Sequence, residues 1–138
     1  MTPDEAVEIV RRQHRAVMAT TRSDGGVQMS PVLVGVDDDG TLLVSTRETA
    51  VKARNLARRA YASLCVIPDG FWPNEPWVQV EGPVTVEHLP EALDGLVRYF
   101  RSVSGEHPDW DEYRRAMAEE QRVLVRLRVE RAGPNVSG

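Results

Sequence analysis

Lys52 is the only lysine in a chain with sixteen arginines, and it lies in the stretch TRETAVKARNLARR, residues 46–59. That stretch reads as a short helix opening near Thr49, which puts a cation in the first turn, against the positive end of the backbone dipole. In isolation the placement is unfavourable. It becomes favourable when an anion sits between the cation and the unpaired N–H groups of the first turn, because both then attract the same charge. Thr46, Thr49, Lys52, Arg54 and Asn55 are the candidate wall of such a site. The competing reading is a solvated basic helix with Ala50, Ala53, Leu56 and Ala57 packed inward and Arg47 or Arg54 paired to Glu48.

Other chemistry has little support. His14, His88 and His107 are far apart and lack metal-ligand spacing. His14, just ahead of a strand, is expected to satisfy a local polar contact. Cys65 stands alone, so it forms no intrachain disulfide and reads as a small buried side chain in a reducing compartment. Asp109, Asp111 and Glu112 suit the start of a helix, where the dipole favours acids. No Ser-His-acid, Cys-His or paired-carboxylate spacing is present, and no catalytic residue is assigned.

The elements that must carry these residues follow from patterning. Thr2, Pro3 and Glu5 read as the cap and first turn of an amphipathic helix. AVMATTR and VQMSPVLVGV flank Asp24, Gly25 and Gly26 and predict a hairpin; after the DDDGT reversal, LLVST is a third strand. YASLCVI is a fourth. In PDGFWPNEP, prolines and glycine oppose any regular ladder, with Phe71 and Trp72 expected to cover a barrel end. WVQVEGPVTVEH alternates again, with Gly82 and Pro83 marking a bend. Residues 90–105 predict a helix passing through Gly95, residues 109–120 another, and RVLVRLRVER a closing strand.

The expected fold is therefore mainly β with peripheral helices, a six-stranded antiparallel split barrel with four short helices. Its 138 residues suit one domain, taken as residues 1–131, with 132–138 as a flexible tail. With 17 basic and 21 acidic residues the chain lacks the clustered positive charge that nucleic-acid binding needs. No signal peptide or run of about 18 apolar residues occurs, so no membrane association is expected and the location reads as cytoplasmic. At this length the domain is small for an enzyme that must also enclose a cofactor, for which a partner subunit could supply the missing wall.

Three segments, AVMATTRSDGGVQMSPV, LLVSTRETAVKARNLARR and WVQVEGPVTV, appear in an order and spacing that resembles the deazaflavin-dependent branch of the pyridoxamine-phosphate-oxidase-like split barrels. The resemblance spans roughly residues 10–130. It implies a homodimer holding coenzyme F420, or alternatively FMN, in an interfacial groove. By that resemblance Lys52, Arg54 and Asn55 correspond to positions on the phosphate side of the cofactor. Gln28, Met29, Ser30 and Pro31 correspond to the strand edge beside its ring, Val44, Ser45 and Thr46 to the neighbouring strand end, and Trp77 to the facing region.

Each of these residues also has a plainer role. Ser30 can form a turn bond before Pro31, Gln28 can be an outward polar residue, and Met29 can fill the barrel. Ser45 and Thr46 can end a strand, and Trp77 can serve the core or a dimer contact. The chain lacks the arginine-rich pattern and C-terminal strand signature of ordinary pyridoxamine-phosphate oxidation. The resemblance implies hydride transfer from reduced F420 to a small conjugated acceptor such as an enone, quinone or biliverdin-like tetrapyrrole. FMN-dependent redox chemistry and a non-catalytic F420-binding or storage dimer are the alternatives.

Overall fold

The computed structural model describes residues 1–70 and 77–133. Helix α1 (Pro3–Val10) opens as its sequence demands: the Thr2 hydroxyl accepts from the Glu5 N–H at 3.2 Å, and Ala6, Val7, Ile9 and Val10 are buried. Strands β1 (Arg15–Thr21) and β2 (Val27–Leu33) form the hairpin. Its turn is fixed by the Asp24 carboxylate, which accepts from the Gly26 N–H at 2.8 Å, and by Gly25 at φ 87°.

Strand β3 (Gly35–Val36) and strand β4 (Leu42–Arg47) follow, then helix α2 (Val51–Arg58) and strand β5 (Tyr61–Val66). The chain continues through β6 (Val78–Glu87), α3 (Leu93–Ser104), α4 (Trp110–Glu119), β7 (Arg122–Leu127) and β8 (Arg131–Gly133). The strands form one curled antiparallel sheet in the order β2-β1-β5-β6-β7-β4-β3, with β8 on β6. This is a split-barrel-type fold, but with eight strands among the described residues where the sequence pattern predicts six.

Both extra strands come from corners within runs that look continuous. At Val34 the chain leaves β2, at one edge of the sheet, and enters β3, at the other, so a single alternating run supplies two strands. Past Leu127 the run turns again and β8 pairs with Gln79, Val80 and Glu81. Strand β8 thus extends into the segment expected to be a loose tail; residues 134–138, and the loop containing Phe71 and Trp72, lie outside the described residues.

Strand β6 links the two halves. Up to Pro83 it pairs with β5, and from Val84 onward with β7. Just before the change, at Gly82, a Cβ would lie 1.8 Å from the Arg128 carbonyl oxygen, so only glycine admits that backbone.

Two apolar clusters hold the fold. The first fills the curl and includes Met18, Leu42, Val44, Leu64, Val80 and Leu127. The second lies outside the sheet, where α3 and α4 cover Leu43 and Leu124 with Leu96, Tyr113 and Met117. Fully burying side chains of this size stabilises by roughly 1.5–3 kcal/mol each. Helix α3 passes through Gly95 because a Cβ there would meet Leu124 Cδ2 at 2.4 Å. No helix among the described residues is long and apolar enough to cross a membrane.

Candidate functional site

Strand alternation divides the block from Gln28 to Pro31 into two faces. Gln28 and Ser30 are half-buried, whereas Met29 and Pro31 are exposed. Met29, at 66% exposure, does not fill the barrel. The same alternation divides the end of β4: Val44 and Thr46 are buried in the barrel wall, and Ser45 faces the other way, into a cavity beside Tyr99 and Arg122. Val44 belongs to the core cluster, so only its backbone can border a groove.

Helix α2 begins two residues after Thr49, where the sequence suggests its start, with Ala50 as its N-cap and Val51 as its first residue. Lys52 remains in the first turn. No side chain caps this end and no acid occupies its first turn. The Arg54 N–H makes the first helical bond, to Ala50 O at 3.2 Å, and the N–H groups ahead of it belong to the unpaired set of a helix start. The Arg54 guanidinium is exposed and donates to Thr49 O at 3.0 Å.

Lys52 reaches from α2 to β2 and donates from Nζ to the Ser30 hydroxyl at 3.2 Å. No carboxylate pairs with it among the described residues; its pKa is pushed down by burial and, secondarily, by the nearby Arg122 guanidinium. Glu48, which could have paired with Arg54, instead approaches His88 at 3.4 Å. The mouth of α2 therefore presents a partly desolvated cation bonded only to a neutral hydroxyl.

Asn55 is 2% exposed and turned away from that mouth. Its amide donates to Thr20 Oγ1 at 3.1 Å and accepts from Arg58 Nη2. Thr20 in turn donates to Gln28 Oε1 at 3.1 Å. Gln28 and Asn55 are thus brought together through Thr20, in a relay that fixes α2 against the β1–β2 hairpin. Thr20 is absent from the sequence-derived set, although its register opposite Gln28 follows from the hairpin turn. Arg122 and Tyr99 are absent as well, because their approach depends on how α3 and β7 pack.

Trp77, just before β6, is 36% exposed. His14 has the polar contact expected of it, though not a local one: its Nδ1 lies 2.8 Å from the O of Val34, 20 residues on. Cys65 departs from expectation. It is half-buried, on the outer side of its strand, and burial raises its thiol pKa.

The family model for pyridoxamine 5′-phosphate oxidase matches residues 2–134. Among solved structures, a conserved hypothetical protein from Mycobacterium tuberculosis superposes with TM-score 0.78 at 23% identity, covering 100% of this chain and 92% of that one. An F420 reductase superposes with TM-score 0.69 at 19% identity, covering 96% and 98%. The haem storage protein HutZ from Vibrio cholerae gives TM-score 0.70 at 16% identity, covering 96% and 94%. At these identities the likeness is one of fold.

Proposed function

Because the chain belongs to the pyridoxamine 5′-phosphate oxidase family, whose split barrels accommodate flavin-like cofactors and diverse small ligands, we propose that it is an F420-dependent reductase. The observation that carries the reading is Lys52: a partly desolvated cation at an uncapped helix start, held by Ser30 and unpaired with any described carboxylate. That donor set fits a phosphate.

When bound, reduced F420 supplies a hydride from its deazaflavin ring; two electrons and one hydrogen pass to the electrophilic carbon of an enone, quinone or biliverdin-like tetrapyrrole, and solvent provides the proton. The work of the chain is to bind and orient. Lys52, the exposed Arg54 and the first-turn amides of α2 hold the phosphate side. Ser30 positions the ammonium group, while the Gln28–Thr20–Asn55 relay fixes α2 relative to β2. The edge of β2 and the end of β4 at Ser45 border the ring, with Trp77 on the facing side.

The exposed apolar row Val27, Met29 and Leu33, with Pro31 between them, supports a homodimer whose seam completes the groove. Optical titration of the purified protein with F420 and with FMN tests the assignment. The expected result is saturable F420 binding and oxidation of reduced F420 by a conjugated acceptor. FMN binding without F420 binding would transfer the assignment to a flavin oxidoreductase. Tight F420 binding with no turnover across a broad acceptor panel would make the protein a storage dimer.

A further inference from the structure

The bond between Lys52 and Ser30 joins a base to a nucleophile. Nζ and the hydroxyl oxygen are 3.2 Å apart, within the reach that proton transfer requires. Both side chains are half-buried, and Ser30 lies on β2, the strand at one edge of the sheet, so a small substrate can approach it. By strand alternation Ser30 also points away from the exposed row of Val27, Met29 and Leu33.

Other half-buried cations of the protein are neutralised by acids: Arg122 pairs with Glu120 at 3.0 Å, and Arg126 with Asp37 at 2.7 Å. Lys52 is not. Burial first, and the Arg122 guanidinium of β7 second, push its pKa down, and among the described residues no carboxylate on any neighbouring element opposes them. More of it is therefore free amine than of a solvated lysine at the same pH. In that form the bond reverses, with the Ser30 hydroxyl donating and Nζ accepting, which is the arrangement in which a lysine takes the proton of an attacking serine.

We propose that Ser30 and Lys52 form a serine–lysine dyad that hydrolyses small, uncharged carboxylic esters, an activity that does not depend on the reductase reading above. Ser30 Oγ bonds to the ester carbonyl carbon while its proton passes to Nζ. The ester C–O bond then breaks, and the Lys52 ammonium returns the proton to the departing alkoxide. Water attacks the acyl-serine in the same way: Nζ takes one of its protons and delivers it to Ser30 Oγ as the acid leaves. The ammonium formed at each attack and the guanidinium of Arg122 are positive charges that favour the developing oxyanion. An ester suits a pair with no third residue holding the base, because an alkoxide leaves more readily than an amine. Pro31 and Val51, the exposed chain neighbours of the two residues, suit a short apolar acyl group.

Hydrolysis of 4-nitrophenyl acetate by the purified protein, with no cofactor present, tests the dyad, and labelling with phenylmethylsulfonyl fluoride followed by peptide mass spectrometry locates the nucleophile. The label is expected on Ser30, and kcat/KM is expected to rise with pH through the depressed lysine pKa. Ser30→Ala and Lys52→Arg should each lower kcat/KM by about a hundredfold or more. Lys52→Arg keeps the cation and removes the base, so it separates this chemistry from the effect of charge alone. The proposal is overturned by a label on another residue, by a rate no higher than that of buffer with free lysine, or by a smaller loss in either folded variant. Labelling of the wild-type protein decides the matter even where a variant does not fold. Failure of F420 to bind in the separate optical titration would overturn the reductase reading and leave the dyad standing.

Discussion

Lys52 and Asp37 show two opposite uses of a partly buried charge. Burial and Arg122 lower the pKa of Lys52, and the negative charge of an arriving phosphate opposes both effects and stabilises the ammonium form. Complex formation then takes up protons at alkaline pH, and F420 affinity should fall as pH rises through the depressed lysine pKa. Lys52→Ala is expected to weaken F420 by about tenfold or more while leaving Tm nearly unchanged, because its hydrogen-bond partner among the described residues is a neutral hydroxyl. Equal F420 affinity in the folded variant would remove the anion site. Asp37 is 5% exposed and already paired, accepting from Arg98 Nε and Arg126 Nη1, both at 2.7 Å. Burial alone would raise its pKa, but these two guanidinium bonds overcome it and hold the carboxyl at about 2, below its ordinary 3.8. Because the folded pKa is the lower one, this stabilisation is complete above about pH 3.8 and is lost as pH falls towards about 2. The shift corresponds to about 2 kcal/mol. Asp37→Ala should cost about 3 kcal/mol at neutral pH by leaving two arginines without their shared partner, and its denaturation midpoint should depend less on acid. A variant with wild-type stability at neutral pH would refute that role. Lys52 was legible in the sequence because one cation at a helix start suffices to suggest an anion. Asp37 was not, since its partners lie 61 and 89 residues away.

Strand β6 illustrates which features of an element local pattern conveys. The Gly82-Pro83 step announces a bend within an otherwise alternating strand. It gives no sign that the bend is where β6 exchanges β5 for β7, or that the Arg128 backbone lies against the missing side chain. Gly82→Ala must displace that backbone and disturb the bonds from Arg128 N to Pro83 O and from Glu130 N to Glu81 O. An expected loss of about 3 kcal/mol, read from chemical denaturation, follows from overpacking against a rigid carbonyl; a change below about 0.5 kcal/mol would mean that the strand can move aside freely. The helices were read more closely than the strands, because Thr2 and Asp109 cap them locally: Asp109 accepts from the Glu112 N–H at 3.1 Å, one residue before α4. The strand count was missed because alternation runs unbroken through the corners at Val34 and beyond Leu127, where the direction of the backbone changes and its polarity pattern does not.

For the molecule as a whole, the exposed row on β2 is the feature that a monomer leaves unexplained. Val27 is 54% exposed, Met29 66% and Leu33 46%, on a strand that also forms a sheet edge. Water contact with this row is unfavourable, and a second copy would remove it. If the protein is the homodimer proposed above, Met29→Glu is expected to shift its sedimentation coefficient from dimer to monomer and, where the seam completes the groove, to weaken F420 as well. A Met29→Glu protein that sediments as the wild type would exclude this face from the interface. By itself the sequence determined the helices, the Thr2 cap of the first, the hairpin, the bend in β6 and the first-turn position of Lys52, all of which depend on residues a few positions apart. Only the tertiary structure decided that Ser30 receives the Lys52 ammonium, that Asn55 turns inward to Thr20, that Asp37 gathers two distant arginines, and that Arg122 enters an aromatic cavity. Those contacts arise from how the sheet curls and where α3 and α4 cover it, and sheet closure is set by long-range packing that no local run of residues encodes.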